Sequence, residues 1–250
     1  MFDAKRETER IVEFIRSYYR EHNLRGAVLG ISGGKDSAVA AGLFCRALGK
    51  ENVVGLTLPC HSNLADGADA RLVAEHFGFE LLNIDLTGVF ELMVKEVGLL
   101  KIGDEADRLN ADINLKPRLR MAACYYMAAL LSAVRGGGYL VAGTSNACEL
   151  YVGYFTKGGD SVHDIAVLAD LTVEEVIAVG EVIGVPEAVL YKAPSDGLSG
   201  KSDEEKMGVT YEAITRAMHG DPLPAAELEK IRKMHGACAH KFVIPTYKKG

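Results

Sequence analysis

The stretch Gly30-Ile31-Ser32-Gly33-Gly34-Lys35-Asp36-Ser37 joins an apolar run, residues 27–31, to an alanine-rich run, residues 38–48. The first run reads as a buried strand and the second as a helix. A strand that turns through glycines into a helix builds an anion cradle. Backbone N–H groups and the positive end of the helix dipole converge there. Gly33 and Gly34 are expected to take backbone angles that other residues resist and to let an oxygen approach closely. Ser32 and Ser37 add hydroxyls, and Lys35 adds a cation. The loop is not a Walker A motif, because Leu29 stands where its first Gly belongs and Asp36 where its Ser/Thr belongs. A carboxylate inside a phosphate loop repels its ligand unless a cation lies between them. Asp36 therefore reads as a Mg²⁺ ligand on a triphosphate.

The rest of the chain has the matching alternation. Strands are expected over residues 27–31, 53–58, 80–84 and 139–143. Helices are expected over about 3–22, 38–48, 65–77, 172–183, 204–218 and 225–235. Strands alternating with helices define an α/β fold, a parallel sheet with helices on both faces in a Rossmann-like three-layer sandwich. Ligands bind such sheets at the carboxyl ends of the strands. The turns after the first and fourth strands are the richest in glycine and hydroxyls. Residues 119–134 (LRMAACYYMAALLSAV) are apolar on every helical face and too short for a bilayer. Either other parts of the chain or a second subunit must cover the outer side, and a homodimer through this helix is the simpler expectation. Residues 99–116 and 194–206 read as irregular, lid-like segments.

Composition narrows the partners. The chain has 250 residues and a net charge of −6 without a basic run, which disfavours nucleic acid as the main substrate. One domain over residues 1–250 is expected, with no separate glutaminase domain. No secretory leader and no membrane-length run are read. The five cysteines, Cys45, Cys60, Cys124, Cys148 and Cys238, are widely spaced with no C-x-x-C pair. That usage fits a reducing cytoplasm. His235, Cys238 and His240 match no metal-ligand spacing.

The fourth strand leads into Gly143-Thr144-Ser145-Asn146-Ala147-Cys148-Glu149, a second hydroxyl-rich turn opening a helix. Glu149, one helical turn in, can point back to the loop and pair with Asp36 around Mg²⁺. The first loop resembles the SGGxDS loop of the N-type ATP pyrophosphatases. With GTSNxxEL, Gly153-Tyr154-Phe155-Thr156-Lys157-Gly158-Gly159-Asp160 and Asp164-Ile165 following in order, the chain resembles the ammonia-dependent NAD synthetases. Further likenesses are Asn114-Leu115-Lys116-Pro117-Arg118, Ala193-Pro194-Ser195, Ser202-Asp203-Glu204-Glu205 and Ala239-His240-Lys241.

The resemblance implies a reaction. ATP adenylates the nicotinate carboxylate of deamido-NAD and releases pyrophosphate, and ammonia then displaces AMP to give NAD. It implies ATP contacts at Gly30, Ile31, Ser32, Gly33, Gly34, Lys35, Asp36, Ser37, Thr144 and Ser195. Lys35 and Asp36 are the expected catalytic pair, and Asp36 and Glu149 the expected Mg²⁺ ligands. Deamido-NAD contacts are implied at Arg118, Lys157, Asp164, His240 and Lys241, across a dimer interface. Ammonia must come from solution or a separate partner.

The chain departs from the family pattern at Gly158–His163, at Val173 where a Lys is common, and at Phe242 where an Arg is usual. Lys35 fills a variable position with a charge that many members lack. Two alternatives stand beside this reading. A sulfur-inserting or other amide-forming adenylase of the same superfamily would need, for sulfur, a reactive Cys60 or Cys148. A non-catalytic nucleotide-binding module would not need both Asp36 and Glu149.

Overall fold

The computed structural model describes residues 2–61, 64–192 and 202–249. Its sheet is made of β1 (Leu24–Gly30), β2 (Val53–Thr57), β3 (Glu80–Asn83), β4 (Gly138–Gly143) and the short β5 (Ile165–Ala166). All pairings are parallel, in the order β3-β2-β1-β4-β5. The apolar run of β1 has a simple cause. Both faces of the strand are covered, so Ala27 and Leu29 enter one core while Val28 enters the other.

On the first face lie α1 (Ala4–Glu21), α2 (Lys35–Leu48), α3 (Leu64–Phe77) and α7 (Val173–Ile183). Val12 and Ile15 of α1, Phe44 of α2, Val73 of α3 and Val179 of α7 fill this core. On the second face lie α4 (Thr87–Gly98) and α5 (Glu105–Arg135), which bury Phe90, Cys124, Ala128 and Leu131 on the sheet. A third cluster sits at the carboxyl edge of β4. It joins α6 (Ala147–Val152) to α10 (Tyr211–His219) and α11 (Ala225–Cys238). The short helices α8 (Glu187–Leu190) and α9 (Asp203–Met207) complete the described elements with two 3-10 turns, one of them Ala239–Lys241.

The strand order explains why two particular turns dominate the site. The chain winds outward from β1 to β3, then returns to place β4 on the other side of β1. The turns after β1 and β4 therefore diverge, and the crevice between them is where such sheets bind ligands.

Several expectations are corrected. Most of residues 99–116 are helical, because Asp104 and Asp107 cap α5 reciprocally and start it at Glu105. The helix expected over 204–218 is broken at Gly208, whose φ of +63° ends α9 before Thr210 caps α10. Helix α4 and strand β5 were not legible, the latter because two residues carry no period. Residues 193–201, the greater part of the expected lid, lie outside the described residues. The segment 203–206 within that lid is helical.

Candidate active site

The β1 turn is held by its own hydroxyls. The Ser37 hydroxyl donates to the Gly34 carbonyl (3.0 Å), and the Ser32 N–H reaches the Ser37 Oγ at 3.3 Å. The Gly34 N–H in turn donates to the Ser32 Oγ (3.2 Å). Gly33 adopts φ +81°, where a side chain would be strained, and so does need to be glycine. Gly34 is extended, with φ −95°, so its backbone does not call for glycine, although a side chain there would press on the Ser32 hydroxyl at 3.3 Å. The Ile31 N–H is taken by the Leu56 carbonyl (2.8 Å) and its side chain lies in the core. The pocket at the turn is lined by Ser32, Gly33, Gly34, Lys35, Asp36 and Ser37, and Gly30 and Ile31 lie behind that lining.

The opposite wall is the β4 turn, contributing Thr144, Ser145 and Glu149. The two walls meet through Asn146, which is fully buried. As N-cap of α6, its side chain accepts from the Glu149 N–H (3.0 Å), while the Glu149 carboxylate accepts from the Asn146 N–H (3.1 Å). The Asn146 side-chain amide nitrogen donates to Asp36 Oδ1 (3.0 Å). One asparagine thus aims Glu149 back at the loop and ties it to the carboxylate on α2. Sequence alone points Glu149 back at the loop, but it does not single out Asn146 as the cap that does so, nor its bridge to Asp36, 110 residues away.

Charge is concentrated here. Protein surrounds Glu149 closely, and that desolvation, joined by the Asp36 charge, pushes its carboxyl well above the usual range. Asp160 and Asp203 also line the pocket, with Tyr211 and Lys192, none of which sequence reasoning had singled out for the phosphate site. Burial raises Asp160 as well, against the opposing pull of the Thr156 N–H donated to it at 2.9 Å. Lys192 pairs with Asp69 of α3 at 2.6 Å. Ser195 lies outside the described residues.

The residues expected to meet the second substrate gather where α5, the 153–164 loop and the C-terminal turn meet. The Arg118 guanidinium donates twice to the Lys157 carbonyl (3.3 and 3.2 Å), and the Lys157 ammonium donates to the His240 carbonyl (2.5 Å). The Lys241 ammonium donates to the carbonyls of Gly153 and Phe155, both at 2.6 Å, and lies over the Phe155 ring. Phe242 packs edge-on against the same ring. Asp164 stands apart. Its carboxylate accepts from the Tyr125 hydroxyl (2.9 Å) and the Val141 N–H (2.8 Å), tying α5 to the sheet. The departures fit this frame: Gly158 adopts φ +75°, and Val173 is buried beside Tyr211.

Cys60 and Cys148 are buried, and desolvation raises both thiols, so neither is poised as a thiolate. Among the described residues no group of three or more His, Cys, Asp or Glu forms a metal cage. Two carboxylates beside a glycine turn at a helix start suit Mg²⁺, which takes few protein ligands and completes its shell with phosphate oxygens and water. A cation held there would offset both the desolvation of Glu149 and its repulsion by Asp36.

A parallel sheet with helices on both faces, carrying a glycine turn and a carboxylate pair at its switch point, defines a three-layer protein of the α/β class. The NAD synthase family model matches residues 7–245, and the chain belongs to that family. The NH₃-dependent NAD⁺ synthetase of Alkaliphilus metalliredigens is 39% identical over 244 residues, covering 96% of each protein. Among solved structures, the NMN synthetase of Francisella tularensis superposes with a TM-score of 0.89 at 33% identity, covering both chains completely. The NH₃-dependent NAD synthetase of Campylobacter jejuni, solved with a nitrate ion, gives 0.80 at 28% identity, covering 99% of this chain and all of that one.

Proposed function

We propose that this chain is an ammonia-dependent NAD synthetase. ATP and deamido-NAD react to form the nicotinyl adenylate and pyrophosphate, and ammonia then displaces AMP to give NAD. The observation that carries the reading is the Asp36–Asn146–Glu149 bridge facing the β1 turn, in a chain that aligns end to end with NH₃-dependent NAD⁺ synthetases.

The chain's own groups divide the work. Ser32, Gly33, Gly34, Ser37 and the start of α2 receive the phosphates. Thr144 borders the nucleotide from the β4 turn, and Ser195 is assigned to it by family likeness. Asp36 and Glu149 would hold Mg²⁺, which when bound supplies charge for the departing pyrophosphate. No protein nucleophile is required, since AMP is itself the leaving group; catalysis is positioning and charge stabilisation. Arg118, Lys157, Asp164, His240 and Lys241 are the proposed deamido-NAD residues. Ammonia arrives from solution or a separate donor protein. The whole chain acts as one catalytic unit, in the cytoplasm, a reading supported by its five widely spaced cysteines without a C-x-x-C pair.

The assembly is a homodimer. Helix α5 buries Cys124, Ala128 and Leu131 on the sheet yet leaves Tyr126, Leu130 and Val134, at 70, 44 and 73% exposure, on its outer face. Val89, Leu92 and Val97 of the neighbouring α4 are exposed as well. A second copy is the cover.

The full-length superposition on an NMN synthetase favours a second reading, in which the amidated substrate is nicotinate mononucleotide. Both substrates end in the same nicotinate carboxylate. The deciding experiment measures AMP and amide formed from ATP and ammonia with each nucleotide in turn. A kcat/KM at least tenfold higher for deamido-NAD establishes the first reading, and the reverse ratio establishes the second. AMP formation with neither overturns both.

A further inference from the structure

Lys35 is placed where elementary electrostatics disfavours a lysine. It is the first residue of α2, where the helix dipole repels cations, and it is only 5% exposed. Its ammonium lies 3.4 Å from Asp36 Oδ2 and 5.5 Å from the centre of the Tyr211 ring. The same charge counters that of Asp36 at Glu149. Tyr211 is itself fixed from the far side of the pocket, its N–H donating to Glu204 at 2.8 Å. The ammonium is therefore enclosed between a carboxylate and an aromatic face, beside the two groups that suit a divalent cation.

We infer that Lys35 is the resident counter-ion of this carboxylate pair and that it makes metal binding conditional on the nucleotide. Before substrate arrives, its ammonium neutralises Asp36 and screens Glu149, so a free divalent cation meets a site already supplied with positive charge. A triphosphate in the β1 turn offers Lys35 a stronger anionic partner. The ammonium then turns to the phosphates, and the carboxylates are released to a cation that enters with them. Lys35 thereby orders the binding sequence, in addition to any stabilisation of the leaving pyrophosphate. The inference rests on the reading of Asp36 and Glu149 as metal ligands.

The test titrates Mn²⁺ by electron paramagnetic resonance into the full-length protein, alone and with α,β-methylene-ATP, which cannot release pyrophosphate. Wild type should bind Mn²⁺ weakly alone and far more tightly with the analogue. Lys35→Met should bind Mn²⁺ alone at least tenfold more tightly than wild type and lose most of the analogue's effect. Lys35→Arg, which keeps the charge, should retain the wild-type dependence and guards against a packing artefact in the methionine variant. Equal nucleotide-free affinities in wild type and Lys35→Met, with both binding Mn²⁺ beside the analogue, would overturn the role of Lys35 alone. Failure of wild type to bind Mn²⁺ even with the analogue would overturn the metal site, and this inference with it.

Discussion

Replacing Lys241 with methionine separates two roles for the C-terminal turn. The substitution keeps a long apolar stem against Phe155 and removes only the ammonium, which now bridges the Gly153 and Phe155 carbonyls at 2.6 Å each. A hydrogen bond from a charged donor contributes about 1.5–3 kcal/mol. The two share one half-buried donor, and water can reach the abandoned carbonyls, so the pair is worth about 2–3 kcal/mol in total. In a chain of this size each kcal/mol moves the melting temperature by about 2–4 °C. The expected fall is then about 4–12 °C in calorimetry, with faster hydrogen exchange at the Thr156 and Gly159 amides of the tethered loop. Asp160, in that loop, lines the pocket at the β1 turn, so kcat should fall and KM for ATP should rise, along with KM for the nicotinate nucleotide that Lys241 is proposed to meet. An unchanged melting temperature with a raised KM for the nicotinate nucleotide alone would refute the strap and leave Lys241 with its proposed substrate contact only.

Asp36→Asn should fold normally, keep the Asn146 contact through its carbonyl oxygen, and lose at least a hundredfold in pyrophosphate release at saturating Mg²⁺; near-normal release would remove Asp36 from the metal site. Val134→Lys combined with Tyr126→Glu should convert a dimer to monomer by sedimentation without lowering helix content, and a wild type that sediments as a monomer at micromolar concentration would refute the interface. Cys60→Ser and Cys148→Ser should each keep amide formation within about threefold after allowance for stability, because both thiols are raised and buried; loss of turnover with an intact fold would reopen the sulfur-transfer alternative. Asp160 is raised in the folded chain, so its neutral form is favoured there and its contribution to stability falls as pH rises through the unfolded value of 3.8 towards the folded one. Asp160→Asn abolishes that titration and should be more stable relative to wild type at pH 8 than at pH 4, read as the difference in melting temperature; the opposite trend would show the carboxylate to be stabilised by Lys241 and Arg120 instead.

The sequence alone determined whatever is encoded over short distances. The β1 turn, its hydroxyls and its misplaced carboxylate lie within eight consecutive residues, and the apolar runs around them carry the strand and helix periods. The placing of Glu149 one helical turn after the β4 turn was equally local. The all-round apolar surface of residues 119–134 announced a helix that its own sheet covers on one side only, and the structure has that geometry. Short elements escaped: β5 is two residues long and exists because β4 offers it an edge. A glycine inside a helical run did not reveal that Gly208 would stop α9, since positive φ is a backbone state that composition permits without requiring.

What only the tertiary structure decided is which distant groups share one small volume. Strand order put the β1 and β4 turns on opposite sides of a switch point, and that juxtaposition let Asn146 reach Asp36. Asp160, Asp203 and Tyr211 arrive in the same pocket from three separate loops and helices, and no spacing in the chain records it. The enclosure of Lys35 follows from the same convergence. A lysine at a helix start beside its neighbouring carboxylate, Asp36, is unremarkable until the ring of Tyr211, brought from 176 residues further along, helps to shut it away from water. Burial and field strength depend on what packs around a group, and that is a property of the assembled fold.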